Sequence, residues 1–259
     1  MSVSHYFRAA ALCLSLAGCG GGGALPAPPT VPPAASPTPA ATTGVIIPMY
    51  VDPGPLWDQV IAEKQLHPRV PIVMIVGPNN GPGTSPDPTY ALYVAKAQAA
   101  GIVVLGYVYS SYATRAASAI ETDISNFKSW YGVNGIFIDE MATNASGYYQ
   151  TLTAYAHADG LTPVIGNPGA DAPATAGTDS ITFFEQQGYP TLAFLSAPAH
   201  TAVPKSTWSY MAGAVPFDQA TILATLPYVG YIYATDSPEP ECYCVLPTYF
   251  DQLVATLDR

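Results

Sequence analysis

Short apolar runs alternate with longer mixed segments from residue 44 to the end of the chain. Each apolar run is bounded by turn-forming residues and predicts a buried strand, and the longer segments predict helices. Two of these helices are followed by Gly101 and Gly160, in the position that glycine usually takes after a helix. Strands are predicted at 45–50, 70–76, 102–108, 135–138, 162–166, 181–184, 206–211 and 228–233, and helices at 56–64, 90–100, 113–130, 148–158, 217–226 and 247–257.

This alternation determines the predicted fold. Strands that alternate with helices form parallel sheets. About eight such units follow one another in residues 44–259, and about 200 residues suffice for a compact barrel of this kind. We therefore predict an α/β fold in which residues 44–259 form a single (β/α)8, TIM-like barrel domain, and we expect a monomer.

The first 43 residues have a different character. Residues 1–19 carry a short basic region, an apolar core and small residues before Cys19, which is the layout of a secretory signal. The sequence Leu-Ala-Gly-Cys that ends at Cys19 resembles the bacterial lipobox and predicts lipid attachment there; an ordinary signal peptide with an incidental cysteine is the alternative. Residues 20–43 are rich in Gly, Pro and Ala and carry no charge, which predicts a disordered linker.

These N-terminal features predict the location of the protein. Acyl chains on Cys19 would hold an exported protein at a membrane surface without a spanning segment. In a Gram-negative host, Gly20 after the cysteine favours the outer membrane. No later segment is long and apolar enough to predict a transmembrane helix.

The composition restricts the class of partner. Eight Lys and Arg stand against 18 Asp and Glu, and only 10% of the residues are charged. Such an acidic chain disfavours nucleic acid and anionic lipid as partners of the folded part. The acidic balance is compatible with a neutral or cationic polysaccharide. The 18 tyrosines offer flat apolar rings with a polar tip, which suits a carbohydrate cleft; positions in the core or at the rim are the alternative for many of them. No phosphate loop, dinucleotide fingerprint or histidine-rich motif occurs, so we predict no cofactor and no metal site.

Two cysteines lie outside the export signal. Cys242 and Cys244 are separated by one residue, and an exported protein meets oxidising conditions. A bridge at this spacing requires a tight, strained loop. We nevertheless predict a disulfide rather than a metal site, because no histidine or further cysteine stands nearby to complete a ligand set.

Three carboxylates follow predicted strands. Asp139 and Glu140 come directly after the run 135–138, and Glu185 follows the run 181–184. Adjacent like charges at the end of an apolar segment push at least one pKa upward. Carboxylates that face each other across a pocket are what glycosidic bond cleavage requires. The alternative is that Asp139 and Glu140 cap the next helix from a solvated loop.

The barrel prediction brings other polar residues to the same mouth. In this fold the catalytic residues stand at the C-terminal ends of the strands. This convergence favours an enzyme over the helix-cap interpretation. The residues predicted as substrate contacts at this mouth are Tyr50 and Asp52 after strand one, Tyr107 and Tyr109 at strand three, Asn167 after strand five and Asp236 after strand eight.

Several segments also resemble a known family. They are GVIIPMY at 44–50, GPNNGPG at 77–83, GYVYSSYATR at 106–115 and YGVNGIFIDE at 131–140. In this order and spacing they are similar to the spherulin-4 family, whose characterised fungal members are endo-α-1,4-N-acetylgalactosaminidases with a (β/α)8 fold. The resemblance spans essentially all of residues 44–259.

The resemblance implies roles for individual residues. The catalytic carboxylates of the family fall on Asp139, Glu140 and Glu185. The matching segments also contain Asn79, Tyr112 and Arg115, which we expect to contact substrate; simple pairing on the surface is the alternative for Arg115. One departure is Gly77, where the family usually has Asn, and it puts a contact from that loop in doubt.

The chemistry of the implied substrate constrains the roles further. In an α-linked 2-acetamido sugar the acetamido group lies cis to the leaving group, so the enzyme must supply its own nucleophile or a base for water. We predict Asp139 as nucleophile, Glu185 as general acid/base and Glu140 as the neighbour that positions them. Successive strand side chains leave opposite faces, but a turn after Asp139 would allow Asp139 and Glu140 to exchange roles.

The predicted function is therefore an endo-acting, retaining glycoside hydrolase that remodels a biofilm matrix, although the sequence leaves inversion open. A lipoprotein that binds polysaccharide at the cell surface without cutting it is the alternative.

Overall fold

The fold is a closed barrel of eight parallel strands. The computed structural model describes residues 42–238 and 243–259. Within them the strands pair in sequence order and the last strand pairs with the first, which confirms the predicted (β/α)8 architecture. The strands are β1 (Gly44–Met49), β2 (Ile72–Val76), β3 (Val103–Tyr109), β4 (Gly135–Asp139), β5 (Val164–Gly166), β6 (Ser180–Gln187), β7 (Trp208–Gly213) and β8 (Tyr231–Ala234).

Helices cover the outside of this barrel unevenly. Residues 167–179, which connect β5 to β6, contain no helix, and the two helices between β6 and β7 have four residues each. The helices are α1 (Pro55–Leu66), α2 (Pro88–Ala99), α3 (Ala117–Asn126), α4 (Ser146–Ala158), α5 (Leu192–Leu195), α6 (Pro198–Thr201), α7 (Gln219–Thr225) and α8 (Phe250–Leu257).

The strands are apolar because both of their faces are buried. Every residue of β1 and β2 is buried, since side chains fill the barrel interior on one face and pack under helices on the other. Gly106 in β3 marks a close approach between the two layers. A β-carbon at this position would lie 2.5 Å from the ring of Phe127, so only glycine allows the end of α3 to pack directly on the sheet.

The start of α3 differs from the prediction. The sequence pattern predicts a helix from residue 113, whereas α3 begins at Ala117. The reason is a turn in which Ser111, Tyr112 and Ala113 all have left-handed backbone angles, with φ of 46°, 55° and 65°. At its other end the helix runs into a π-helical turn, Phe127–Tyr131, before the chain reverses.

Some sequence-based predictions lie outside the described residues. They are the signal peptide, the lipidation site Cys19, nearly all of the linker at 20–43, and Cys242, so all of these stay predictions. Cys244 is described and exposed, but its disulfide with Cys242 stays a prediction as well. Across residues 42–238 and 243–259, no helix has the length and apolar character needed to cross a membrane.

Candidate active site

The C-terminal ends of neighbouring strands bring several polar side chains together. Asp139 is the last residue of β4, Asn167 directly follows β5, and Glu185 lies near the end of β6. The register between β6 and β7 shifts between Thr182 and Phe184, which is a bulge-like irregularity just before Glu185. Such irregularities redirect the side chains that follow them. The three polar residues meet at one mouth of the barrel.

Asn167 joins the two carboxylates. Its Nδ2 group donates one hydrogen bond to Asp139 Oδ1 at 2.9 Å and another to Glu185 Oε2 at 2.5 Å. The other amide atom, Oδ1, accepts a hydrogen bond from the backbone N–H of Gly169 at 3.0 Å. Because a backbone N–H can only donate, this contact fixes the amide orientation and directs the NH2 group to the acids. The side chain is 3% exposed, so the bridge is buried.

Both carboxylate oxygens of Asp139 accept hydrogen bonds. Its Oδ2 accepts a hydrogen bond from the hydroxyl of Tyr107 at 2.9 Å, in addition to the bond from Asn167. Burial raises the pKa of Asp139, and the negative charge of Glu140 adds to this. The backbone N–H of Glu140 and the side chains of Tyr107 and Asn167 oppose the shift without cancelling it. The site therefore holds a carboxylate that is partly desolvated and firmly oriented.

Glu140 faces the same cavity as Asp139 because the chain turns between them. Glu140 has a left-handed backbone with φ of 52°, which ends the alternation of the strand. Its carbonyl accepts hydrogen bonds from the backbone N–H of Tyr112 and from Ser110 Oγ, each at 2.7 Å. The helix-cap interpretation of this pair is wrong, since α4 begins only at Ser146 and has no side-chain cap.

Tyr243 is a site residue that the sequence interpretation missed. Its hydroxyl donates a hydrogen bond to Glu185 Oε1, and its carbonyl accepts one from the backbone N–H of Tyr50 at 3.3 Å. The rings of Tyr50 and Tyr243 pack edge to face with centroids 5.9 Å apart. Tyr243 lies in the loop after β8, which opens at the same mouth. Its position in the loop after the last strand is a sequence signal for the mouth of the barrel, whereas the cysteines on either side of it indicate a disulfide.

Two cavities open at this mouth. The acidic cavity has a volume of about 280 Å³ and contains the three carboxylates; Tyr112, whose side chain is 63% exposed, stands at its rim. The tyrosine cavity has a volume of about 310 Å³ and lies at the ends of β1, β2 and β3. The acidic cavity is lined by Tyr112, Asp139, Glu140, Asn167, Pro168, Gly169, Glu185 and Tyr243. The tyrosine cavity is lined by Tyr50, Gly77, Pro78, Asn79, Asn80 and Tyr107.

Four of the predicted substrate contacts line neither cavity. Arg115 forms an ion pair with Asp123 at 2.6 Å and stacks on the ring of Tyr109, 4.4 Å from its centroid. This is the pairing that the sequence left as the alternative for Arg115. Asp236 accepts hydrogen bonds from the backbone and side chain of Thr248. The fourth, Asp52, is exposed after β1.

The site offers paired carboxyl groups at short range. Asp139 Oδ1 and Glu185 Oε2 accept hydrogen bonds from the same nitrogen, Asn167 Nδ2, at 2.9 and 2.5 Å. The distance between these two oxygens therefore cannot exceed the sum of the two hydrogen-bond lengths. Two partly buried acids at this range can act as nucleophile and proton donor. Among residues 42–238 and 243–259 there is no group of three or more His, Cys, Asp or Glu that could hold a metal ion.

Comparison with known proteins connects this site to a family. The family model described as Spherulin4, spherulation-specific family 4, matches residues 44–257. The chain belongs to this family. The resemblance found in the sequence motifs is thereby confirmed. Spherulin-4 of Physarum polycephalum is 33% identical over 227 residues, which cover 80% of this chain and 68% of that protein.

Solved structures show the same fold. Aspergillus clavatus Sph3, solved in complex with GalNAc, has a TM-score of 0.73 and 24% identity, covering 85% of this chain and 98% of that one. The YdjI aldolase from Escherichia coli has a TM-score of 0.51 and 16% identity, covering 84% of this chain and 87% of that one. These similarities show that this member of the spherulin-4 family shares the (β/α)8 barrel fold.

Proposed function

We propose that this protein is an endo-acting, retaining glycoside hydrolase that cleaves α-1,4-linked polysaccharide containing N-acetylgalactosamine or galactosamine. The observation that carries the proposal is the carboxyl pair Asp139 and Glu185, joined by one amide at the mouth of the barrel. The complex of the related Sph3 with GalNAc supports the choice of sugar.

The geometry supports a double-displacement reaction. Asp139 attacks C1 of the sugar and forms a glycosyl–enzyme bond, while Glu185 gives its proton to the departing glycosidic oxygen. Water then attacks C1, Glu185 takes a proton from that water, and the bond to Asp139 breaks. The separation of the two acids supports retention, because inverting enzymes keep their carboxyls roughly 6.5–9.5 Å apart. Glu140 is the alternative nucleophile, since it lines the same cavity as Asp139.

The surrounding hydrogen bonds fit these roles. Asn167 can only donate through its NH2 group, so it favours the ionised forms of both acids at the oxygens that it contacts. The hydroxyl of Tyr243 can reverse and accept, so Glu185 Oε1 is the oxygen that can carry the transferable proton. Tyr112 offers an exposed ring at the rim, suited to stacking on a sugar face.

The proposal also includes the cellular location of the protein. We infer from the sequence that the protein is exported and lipid-anchored at Cys19, in the outer membrane of a Gram-negative host. An enzyme held there would meet exopolysaccharide as it leaves the cell, and a role in remodelling a biofilm matrix follows.

The experiment is incubation of the protein with α-1,4-linked galactosamine polymers of graded acetylation, with products analysed by mass spectrometry and anomeric configuration followed by NMR. Oligosaccharides released first as the α-anomer are expected. An unaltered polymer that still binds the protein would instead favour a non-catalytic polysaccharide-binding lipoprotein.

A further inference from the structure

The tyrosine cavity adjoins the catalytic acids but does not contain them. Tyr107 lines this cavity with its ring and donates its hydroxyl to Asp139 Oδ2 at 2.9 Å. Tyr50 packs edge to face on Tyr107, with centroids 5.2 Å apart, and on Tyr243 from the acidic side. A wall of aromatic rings therefore separates two neighbouring cavities at one mouth.

The loop that forms the outer side of the tyrosine cavity is held in place. The hydroxyl of Tyr131 donates a hydrogen bond to the carbonyl of Pro82 at 2.8 Å, and the backbone N–H of Asn79 reaches the carbonyl of Gly81 at 3.4 Å. Asn80 has a left-handed φ of 51° between them. A polar loop held in one shape before a ligand arrives loses little conformational freedom on binding.

The lining of the tyrosine cavity is polar but contains no acidic or basic side chain. Asn79 and Asn80 supply amides, each with donors and an acceptor. Burial raises the pKa of Tyr50 and of Tyr107, with a further contribution from the nearby carboxylates, so both phenols stay protonated. The acidic cavity, in contrast, contains three carboxylates. The two cavities therefore differ in charge while sharing a wall.

We propose that the tyrosine cavity is a second sugar subsite, which takes an uncharged pyranose next to the one held over Asp139. The proposal rests on the proposed function, because it places two neighbouring units of one polysaccharide. Each cavity is near the lower end of the volumes typical of small-molecule sites, roughly 300–1,000 Å³, which suits one ring apiece. Rings for stacking and amides for hydroxyl or acetamido groups fit such a unit. A sugar with a free ammonium group would lose hydration there without a carboxylate in the lining to pair with.

Binding to an inactive protein tests the subsite without requiring cleavage. In an Asp139→Asn background, calorimetry would compare N-acetylgalactosamine with its α-1,4-linked tetrasaccharide, fully acetylated or fully de-acetylated. Asn79→Ala and Asn80→Gly each remove one amide, and glycine keeps the left-handed φ of residue 80. Gln65→Ala, which removes an exposed amide from α1, is the matched control.

The acetylated tetrasaccharide should bind more tightly than the monosaccharide, and each cavity variant should weaken tetrasaccharide binding about three- to tenfold. In each cavity variant the monosaccharide should lose clearly less affinity than the tetrasaccharide. The de-acetylated tetrasaccharide should bind little more tightly than the monosaccharide. Equal losses for monosaccharide and tetrasaccharide, no loss beyond that of Gln65→Ala, or an equal gain with the de-acetylated chain would overturn the second subsite.

Cleavage by the wild-type protein is measured separately. Polymer that is cleaved without an amide-dependent gain in tetrasaccharide affinity would refute the subsite and leave the hydrolase intact. A gain of this kind without cleavage would refute the hydrolase and leave the subsite. Failure of every saccharide to bind would overturn both.

Discussion

Replacing Asn167 should separate its bridging role from simple packing. Asn167→Ala removes the donor to Asp139 and the donor to Glu185 in one step. A hydrogen bond to a charged group stabilises by about 1.5–3 kcal/mol, and water entering the cavity should replace part of that. We therefore expect transition-state stabilisation to fall by about 2–4 kcal/mol, which lowers kcat/KM roughly 30- to 1,000-fold, mostly through kcat.

The pH dependence gives a sharper test, because two substitutions should act in opposite directions. Asn167 lowers the pKa of Asp139, so Asn167→Ala should raise it and move the acidic limb of the kcat/KM profile to higher pH. Asn167→Asp keeps the size of the side chain, but it can donate only when protonated, and then to just one of the two acids. Because three neighbouring carboxyl groups cannot all ionise easily, its activity should be confined to lower pH.

The assay is initial rate against pH on a soluble oligosaccharide, with thermal unfolding measured in parallel. Asn144→Ala, in the exposed part of the loop after β4, is the matched control and should keep the wild-type profile. If both Asn167 variants kept the wild-type pH profile and lost only substrate affinity, the bridge would not govern the ionisation of the acids.

Five other outcomes are expected. Asp139→Asn or Glu185→Gln should cost about a thousandfold or more in kcat. Because burial raises the pKa of Asp139, its ionised form costs stability above that pKa; Asp139→Asn should therefore raise the melting temperature at neutral pH, and the gain should shrink as the pH falls through the raised pKa toward the ordinary Asp value. Tyr243→Phe should lower kcat, since Glu185 loses a hydrogen bond that orients its carboxyl group; an unchanged kcat contradicts that role. Ala113→Gly should relieve about 1–2 kcal/mol of left-handed strain against roughly 0.5–1 kcal/mol of added chain entropy, and so raise the melting temperature by a few degrees. Cys19→Ser should release the protein from the membrane fraction; retention after a high-salt wash would refute the anchor.

The barrel was predictable because its signals are local and repeated. Each strand is a short apolar run, and the alternation with helices permits few other arrangements. The errors lie where backbone geometry overrides the pattern. The residues from Ser111 to Ala113 have no propensity that announces a left-handed turn, so the predicted helix began too early.

Placement at the mouth was predictable for the two acids at strand ends, although Tyr109, at the end of β3, lines neither cavity. Asp139 and Glu185 follow apolar runs, and the fold alone brings them together. The direction of Glu140 depended on one backbone angle that the sequence does not reveal. Tyr243 lies on a long loop whose path depends on tertiary contacts. Arg115 lies close by in sequence, yet Asp123 holds its guanidinium away from both cavities.

The missing helix between β5 and β6 has a consequence for local motion. β5 has three residues and only two register pairs with β6, at Ile165 and Gly166. Val164 and Ile165 are buried, but a short strand with few ladder hydrogen bonds opens more readily than a long one. Amide hydrogens of β5 should therefore exchange with solvent sooner than those of β1 or β2. Asn167 directly follows this strand, so binding of a sugar across both cavities should slow that exchange.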